Sequence, residues 1–138
     1  MAVRLLALVY RKPDITPEQF KEYYEVAHLP LLKFLVGEGF PISHTRRYIP
    51  RTTLTSLPGP YGALLQYPAT VISGSPSEFG FDCISEMDFR DQRHLQTYFA
   101  AMIRPDVSAR LTEDCVKFMD MSRAAPTVIL SECIETFA

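Results

Sequence analysis

The alternation of apolar and polar positions predicts one long helix near the N-terminus, over Thr16–Val36. Thr16 suits the N-cap, Pro17 suits the first helical position, and Gln19 completes a capping box with Thr16. Largely apolar side chains then recur at helical spacing, which indicates one buried stripe made of Phe20, Tyr24, His28, Leu31 and Leu35.

His28 is the titratable member of this stripe. Pro30 follows two residues later, removes a backbone donor and disturbs the helix at that point. An imidazole on a buried face beside a weakened turn is either a hydrogen-bonded core residue or a working group. The residues alone leave both interpretations open.

The rest of the pattern predicts strands at 3–10, 42–51, 81–89 and 127–134. Two more helices begin near Asp91 and Pro105. This order predicts an α+β fold of the ferredoxin-like, split βαβ type, with an antiparallel sheet and helices on one face. The side chains expected inside these two helices and just after them are Leu95, Tyr98, Phe99, Met102, Val107, Leu111, Cys115 and Phe118.

Two predicted strands carry many polar side chains. In the second strand, His44, Arg46 and Tyr48 share one face, and Ser43, Thr45, Arg47 and Ile49 share the other. In the third, Phe81, Cys83, Ser85, Met87 and Phe89 are expected to face the core, with Asp82, Ile84, Glu86 and Asp88 opposite. A polar sheet face needs a cover, and a second copy of the chain is the simplest one, so we expect a homodimer.

The stretch 52–80 is rich in Pro, Gly, Ser and Thr and predicts a long loop with one short strand near 69–72. Loops of this length act as lids or interface arms, or are flexible. We otherwise expect a single domain over residues 1–138, because the chain has the length of one domain and carries no internal repeat.

Composition excludes several classes of protein. The net charge is −2, without a basic stripe, so we expect no nucleic-acid partner. The apolar N-terminus, AVRLLALVY, is too short for a signal peptide or a membrane span. The three cysteines form no CxxC pair, which favours reduced thiols and a cytoplasmic protein.

Four blocks of the sequence resemble the EthD-domain family. They are LVYRKPDITPEQFKEYYEVAHLPLL, with its R-K-P, its cap and its H-x-P, then SHTRRYIPRT, EFGFDCISEMDF and EDCVKFMDMSR. The similarity is to the fungal branch that acts on aromatic polyketides as decarboxylases or dehydratases. The resemblance implies a dimeric α+β barrel, no cofactor and an aromatic polyketide substrate.

The resemblance therefore implies a lyase, with an anthrone-type, atrochrysone-like carboxylic acid as the expected substrate for decarboxylation. Dehydration of a β-hydroxy ketone or hemiketal intermediate is the alternative, and a non-catalytic carrier of aromatic ligands is a third possibility. Decarboxylation requires protonation of carbon and hydrogen bonds to an enolate, whereas dehydration requires a base and an acid. Neither reaction needs a metal or an organic cofactor, and histidine suits both near neutral pH.

The candidate catalytic residues are His28, His44 and Tyr48. The last two share a strand face, where an imidazole and a phenol can meet one planar substrate; an exposed strand face is the other interpretation. The candidate substrate-binding residues are Arg46, Arg47, Asp82 and Glu86, whose alternative roles are surface charges or ion pairs between subunits. No ligand pair has the spacing of a known metal motif, and His94, in the first turn of a helix, is expected at the surface.

Overall fold

Four antiparallel strands form one sheet in the order β2-β3-β1-β4. The computed structural model describes residues 2–52 and 67–138, and within them helices pack on one face of the sheet. The predicted α+β fold of ferredoxin-like topology is confirmed. The strands are β1 (Val3–Val9), β2 (Ser43–Tyr48), β3 (Cys83–Phe89) and β4 (Thr127–Leu130), and the helices are α1 (Pro17–Tyr23), α2 (Leu29–Val36), α3 (Gln92–Met102) and α4 (Pro105–Cys115).

The first predicted helix is continuous in path but not in hydrogen bonding. Between α1 and α2 lies a π-helical turn, Tyr24–His28, in which the amide of Leu29 donates to the carbonyl of Tyr24. Pro30 explains the wider turn, because it has no amide to donate and its ring would crowd the carbonyl of Val26 in a regular α-helix.

The π turn also shifts the buried face. Phe20, Tyr24 and His28 are buried as predicted, but beyond the turn the buried residues are Leu32 and Val36. Leu31 and Leu35, which the regular period assigned to the core, are only half-buried. A π turn holds more residues than an α turn, so the residues facing the sheet change register after it.

The core consists of two clusters. The larger one joins β1 and β3 to α2, α3 and α4 around Leu5, Phe89 and Val107. The smaller one is mostly aromatic and contains Phe20 and Phe118, both fully buried. It lies where the π turn packs against the sheet, and it contains Tyr24 of that turn.

Several boundaries and burial predictions differ from the structure. β2 is shorter than 42–51 and β4 is shorter than 127–134. The strand expected near 69–72 is reduced to one bridge between Arg51 and Ala69. Phe99 is nearly half exposed, and Ala101 is buried on α3 instead. The loop over 52–80 carries a short 3₁₀ turn, Pro76–Phe79, while its residues 53–66 lie outside the described chain.

No helix within residues 2–52 and 67–138 covers the second face of the sheet. Strand register places Leu6 beside Val128 and Glu86, and Leu8 beside Ile84. Further along the same face, Arg4 and Asp88 form an ion pair with two hydrogen bonds. The open face thus carries apolar side chains of β1, β3 and β4 together with charged ones, Glu86 and the Arg4–Asp88 pair. None of the described helices is long and apolar enough to cross a membrane.

Candidate functional site

The π turn and α4 bring together a buried histidine and a buried aspartate. Nδ1 of His28 lies 2.8 Å from Oδ2 of Asp114, and the Tyr23 hydroxyl donates to Oδ1 of the same carboxylate at 2.6 Å. Because an ionised carboxylate only accepts, Nδ1 of the neutral imidazole carries the proton. Nε2 is then the basic nitrogen, and it makes no hydrogen bond within residues 2–52 and 67–138.

Burial decides the charge of His28. It lowers the imidazole pKa from its ordinary value, and the hydrogen bond and charge of Asp114 oppose this without reversing it. The ring packs against Phe118, with centroids 4.8 Å apart, and edge-on against Tyr24. His28 is therefore neutral at pH 7, yet Asp114 stands ready to stabilise the imidazolium if a proton arrives.

His44 lies on the helix-facing side of β2 with both ring nitrogens engaged. Nη1 of Arg46 lies 2.9 Å from Nδ1, and Ser85 Oγ lies 3.2 Å from Nε2. Since the guanidinium can only donate, Nδ1 accepts and Nε2 carries the proton. Burial, and then the positive charge of Arg46, lower the pKa of His44 to about 4. His44 is thus a neutral ring that orients Arg46, which makes it a poorer proton carrier than His28.

Arg46 links β2 to the π turn. Its Nε and Nη2 donate to the two carboxylate oxygens of Glu25 at 2.5 and 2.9 Å. The Tyr48 hydroxyl also donates to Glu25, at 2.5 Å. The hydrogen bond from Arg46 lowers the pKa of Glu25, while burial and the nearby carboxylate raise the pKa of Tyr48, so Glu25 is ionised and Tyr48 is protonated.

His44 is connected through Phe40 to His94, which is buried. Phe40 stacks on the His44 ring at 6.3 Å, and the carbonyl of Phe40 lies 2.9 Å from Nε2 of His94. Nδ1 of His94 accepts the amide of Arg90. The expectation that His94 lies at the surface is wrong, because these two backbone partners satisfy the ring inside the fold, where it is 3% exposed.

The ring of Tyr24 stands at the centre of these groups. Its centroid is 5.6 Å from that of His28, 6.5 Å from that of His44 and 6.4 Å from that of Tyr48. The structure therefore brings together four of the predicted site residues, His28, His44, Arg46 and Tyr48. We call this set, with Glu25, Tyr24 and Asp114, the π-turn cluster.

Arg47 and Glu86 lie on the open face of the sheet, away from the π-turn cluster. Arg47 pairs in register with Ile84, and Glu86 pairs with Thr45 and Leu6. Their predicted substrate-binding role concerns a different surface from that of the histidines. It stays a prediction for that surface.

Asp82 is buried just before β3 and bridges two arginines. Its carboxylate accepts from Nε of Arg11 at 3.0 Å and from Nη2 of Arg51 at 3.2 Å. Arg51 also donates to the carbonyls of Phe79 and Phe81. This arrangement ties the chain on both sides of residues 53–66 to the sheet, and it engages the Asp82 carboxylate with arginines and not with a histidine.

Sequence reasoning missed Glu25, Ser85 and Asp114 as site residues. A usable signal existed for Asp114, which shares a buried helical stripe with Val107 and Leu111. An acidic residue on an apolar stripe, like His28 on its stripe, is either a hydrogen-bonded core residue or a functional group. For Glu25 no such signal existed, because its partner Arg46 lies on a strand 21 residues away in sequence.

The arrangement suits proton transfer. It combines a neutral base with a carboxylate behind it, a protonated phenol and a half-buried guanidinium that can hold an anion. Among the described residues no group of three or more His, Cys, Asp or Glu side chains is placed to hold a metal ion. All three cysteines are free.

The fold and the site thus define a small α+β protein that has an acid–base cluster between its helices and its sheet. The chain belongs to the EthD domain family, whose model matches residues 12–122. No curated protein matches the sequence significantly.

Two solved structures share the fold. An EthD-like protein from Ralstonia eutropha is 15% identical, with a TM-score of 0.58 over 98% of this chain and 95% of that one. An ethyl tert-butyl ether D (EthD) family protein from Bacillus halodurans is 22% identical, with a TM-score of 0.53 over 96% of this chain and 100% of that one. At these identities the likeness supports the fold alone.

The low pKa of His44 predicts a loss of stability in acid. The folded protein binds this proton only near pH 4, whereas an unfolded histidine binds it near 6.5, so acidification between these values favours the unfolded chain. Allowing for the partial exposure of the ring, the cost is about 2 kcal/mol. Urea unfolding at pH 7 and pH 4.5 should show this loss, and His44→Gln should reduce it. His28 contributes in the same direction in both proteins; parallel pH curves for the two would contradict the assignment.

Proposed function

We propose that the protein is a cofactor-independent lyase that decarboxylates an anthrone-type, atrochrysone-like carboxylic acid in aromatic polyketide biosynthesis. The observation that carries the proposal is the pairing of His28 with Asp114, which leaves a neutral imidazole beside an aromatic cluster, with an Nε2 that no described residue engages. Membership of the EthD family supports it.

In the proposed reaction the bond between the ring carbon and the carboxyl group breaks, and its electrons pass to the neighbouring carbonyl to form an enolate. Nε2 of His28 takes the proton of the substrate's carboxyl group, which leaves a carboxylate, and returns it to the ring carbon after carbon dioxide has left. Asp114 stabilises the imidazolium in between. Tyr48, kept protonated by its raised pKa, is a suitable hydrogen-bond donor to a substrate oxygen, first that of the carboxylate and, once carbon dioxide has left, that of the enolate.

Dehydration is the second candidate, and His28 and Tyr48 together would also suit it. A neutral His28 can remove the proton next to a ketone, while a phenol can protonate the departing hydroxyl. An aromatic-ligand carrier would bind its ligand beside the same aromatic cluster of Phe20 and Phe118 without turnover. The reactions differ in the small molecule that is lost, which makes them easy to separate.

The first test is therefore the mass of the product. Purified protein, stripped of metal by a chelator, is incubated with a panel of polyketide carboxylic acids and β-hydroxy ketones. Loss of carbon dioxide from an acid is expected; loss of water instead would select the dehydratase. Binding without any product would support the carrier and contradict both lyases, and activity restored only by an added divalent metal would contradict the acid–base scheme.

Replacement of His28 by Gln tests the proton-transfer role. The amide keeps approximate size and a hydrogen bond to Asp114 but cannot titrate, so turnover should fall by about 10²–10⁴-fold while circular dichroism stays unchanged. A lowered thermal midpoint with unchanged turnover per folded molecule would instead identify a structural histidine.

Asp114→Asn is the matched positioning variant in this experiment. Because Asp114 raises the pKa of His28, its neutralisation should move the acidic limb of the pH–rate profile to lower pH. A change in rate without this displacement would mean that Asp114 acts on the fold alone.

We also propose a homodimer formed through the open sheet face. Leu6, Leu8 and Ile84 provide an apolar centre on that face, which no helix of the described chain covers. Such a face is the kind of surface that a second subunit buries.

Light scattering at micromolar concentration should give twice the chain mass of 15.7 kDa. Leu6→Arg places a charge in the centre of the open face and should yield a folded monomer. Ile103→Arg, at an exposed site after α3, is the matched control and should leave the mass unchanged. A wild-type monomer that turns over substrate would contradict the proposal.

A further inference from the structure

Arg46 in this structure already binds a carboxylate, that of Glu25. Two parallel hydrogen bonds from Nε and Nη2 reach the two oxygens, and the Tyr48 hydroxyl adds a third to Oε2. Planar, two-point pairing of this kind is how arginine recognises carboxylic acids in general. The site that the fold builds around Glu25 therefore has the chemistry of a receptor for an organic acid.

The guanidinium is held independently of Glu25. Its remaining nitrogen, Nη1, donates to the backbone carbonyl of His44 at 2.7 Å and lies 2.9 Å from Nδ1 of the same residue. One edge of Arg46 is thus anchored to its own strand, while the opposite edge faces Glu25. A different carboxylate can take that edge without moving the anchor.

Glu25 is also the member of the cluster best able to leave. Its side chain is 33% exposed, compared with 20% for Arg46 and 10% for His28. It belongs to the π turn, whose irregular hydrogen bonding is common at functional sites in helices. Rotation of Glu25 into solvent would restore its hydration, and an incoming carboxylate would replace the hydrogen bonds that Glu25 makes to Arg46 and Tyr48.

We propose that the carboxylate of the substrate replaces Glu25 on Arg46 and Tyr48, which makes Arg46 the residue that selects an acid and Glu25 its internal competitor. This inference rests on the proposed function and extends it to substrate recognition. A ring system without a carboxylate leaves Glu25 in place. Once carbon dioxide departs, the product no longer competes, Glu25 returns to Arg46, and product release is favoured.

Binding of two probes tests the exchange without any turnover. Anthraquinone-2-carboxylate is the acid probe, and its primary amide is a neutral probe of nearly the same shape; calorimetry gives both dissociation constants. Glu25→Gln should lower the dissociation constant of the acid probe by about tenfold, since a competing charge is removed. The dissociation constant of the amide probe should stay unchanged. Glu22→Gln, one turn earlier and exposed, makes the same change in net charge and should alter neither constant.

Two further variants locate the receptor. Tyr48→Phe keeps the ring packed on Phe20 but removes a hydrogen-bond donor. It should therefore weaken binding of the acid probe several-fold and leave binding of the amide probe unchanged. Arg46→Gln should abolish the preference for the acid, and adding Glu25→Gln to it should have no further effect. Tyr48→Phe and Glu25→Gln keep the test decisive if Arg46→Gln does not fold.

The outcomes separate the two proposals. Binding of both probes with affinities indifferent to Glu25 and Arg46 would overturn the exchange and leave the lyase intact. Equal tightening by Glu22→Gln would reduce the effect to net charge and also overturn it. Absence of binding by either probe in every variant would overturn the proposed substrate class, and the exchange with it.

Discussion

The contact between His28 and Asp114 is the interaction on which the site depends. Both side chains are buried between the helices and the sheet, where an isolated charge or an unpaired donor costs several kcal/mol. Their pairing removes most of that cost and also fixes which nitrogen of His28 carries the proton. The same hydrogen bond therefore allows both side chains to be buried and leaves Nε2 as the basic nitrogen of His28.

The π turn positions the His28–Asp114 pair and also a second pair, Glu25–Arg46. Pro30 prevents a regular α-helix, and the wider turn carries Tyr24 and His28 inward while Glu25 points to β2. One local irregularity thus places His28 and the carboxylate bound by Arg46 in a single segment. A regular helix over the same residues would put different side chains against the sheet, as the shift from Leu31 to Leu32 beyond the turn shows.

The two histidines of the cluster have different roles because their partners differ. His28 has a carboxylate on one nitrogen, and no residue in the described part of the chain binds the other, so it can take a proton and be stabilised. His44 has a guanidinium on one nitrogen and a hydroxyl on the other, and burial further disfavours its cation. Residue type alone would rank them equally; their electrostatic surroundings separate them.

The periodic patterns in the sequence were enough to predict the order of strands and helices along the chain, the helix caps and the face on which His44, Arg46 and Tyr48 lie, because these depend on neighbours within a few residues. The same patterns identified His28 as an unusual member of an apolar stripe. They could not pair it with Asp114, 86 residues away, nor place Glu25 on Arg46, nor engage Asp82 with arginines. Those contacts join elements whose relative position is set by packing across the whole sheet, and no local period encodes which polar groups then meet.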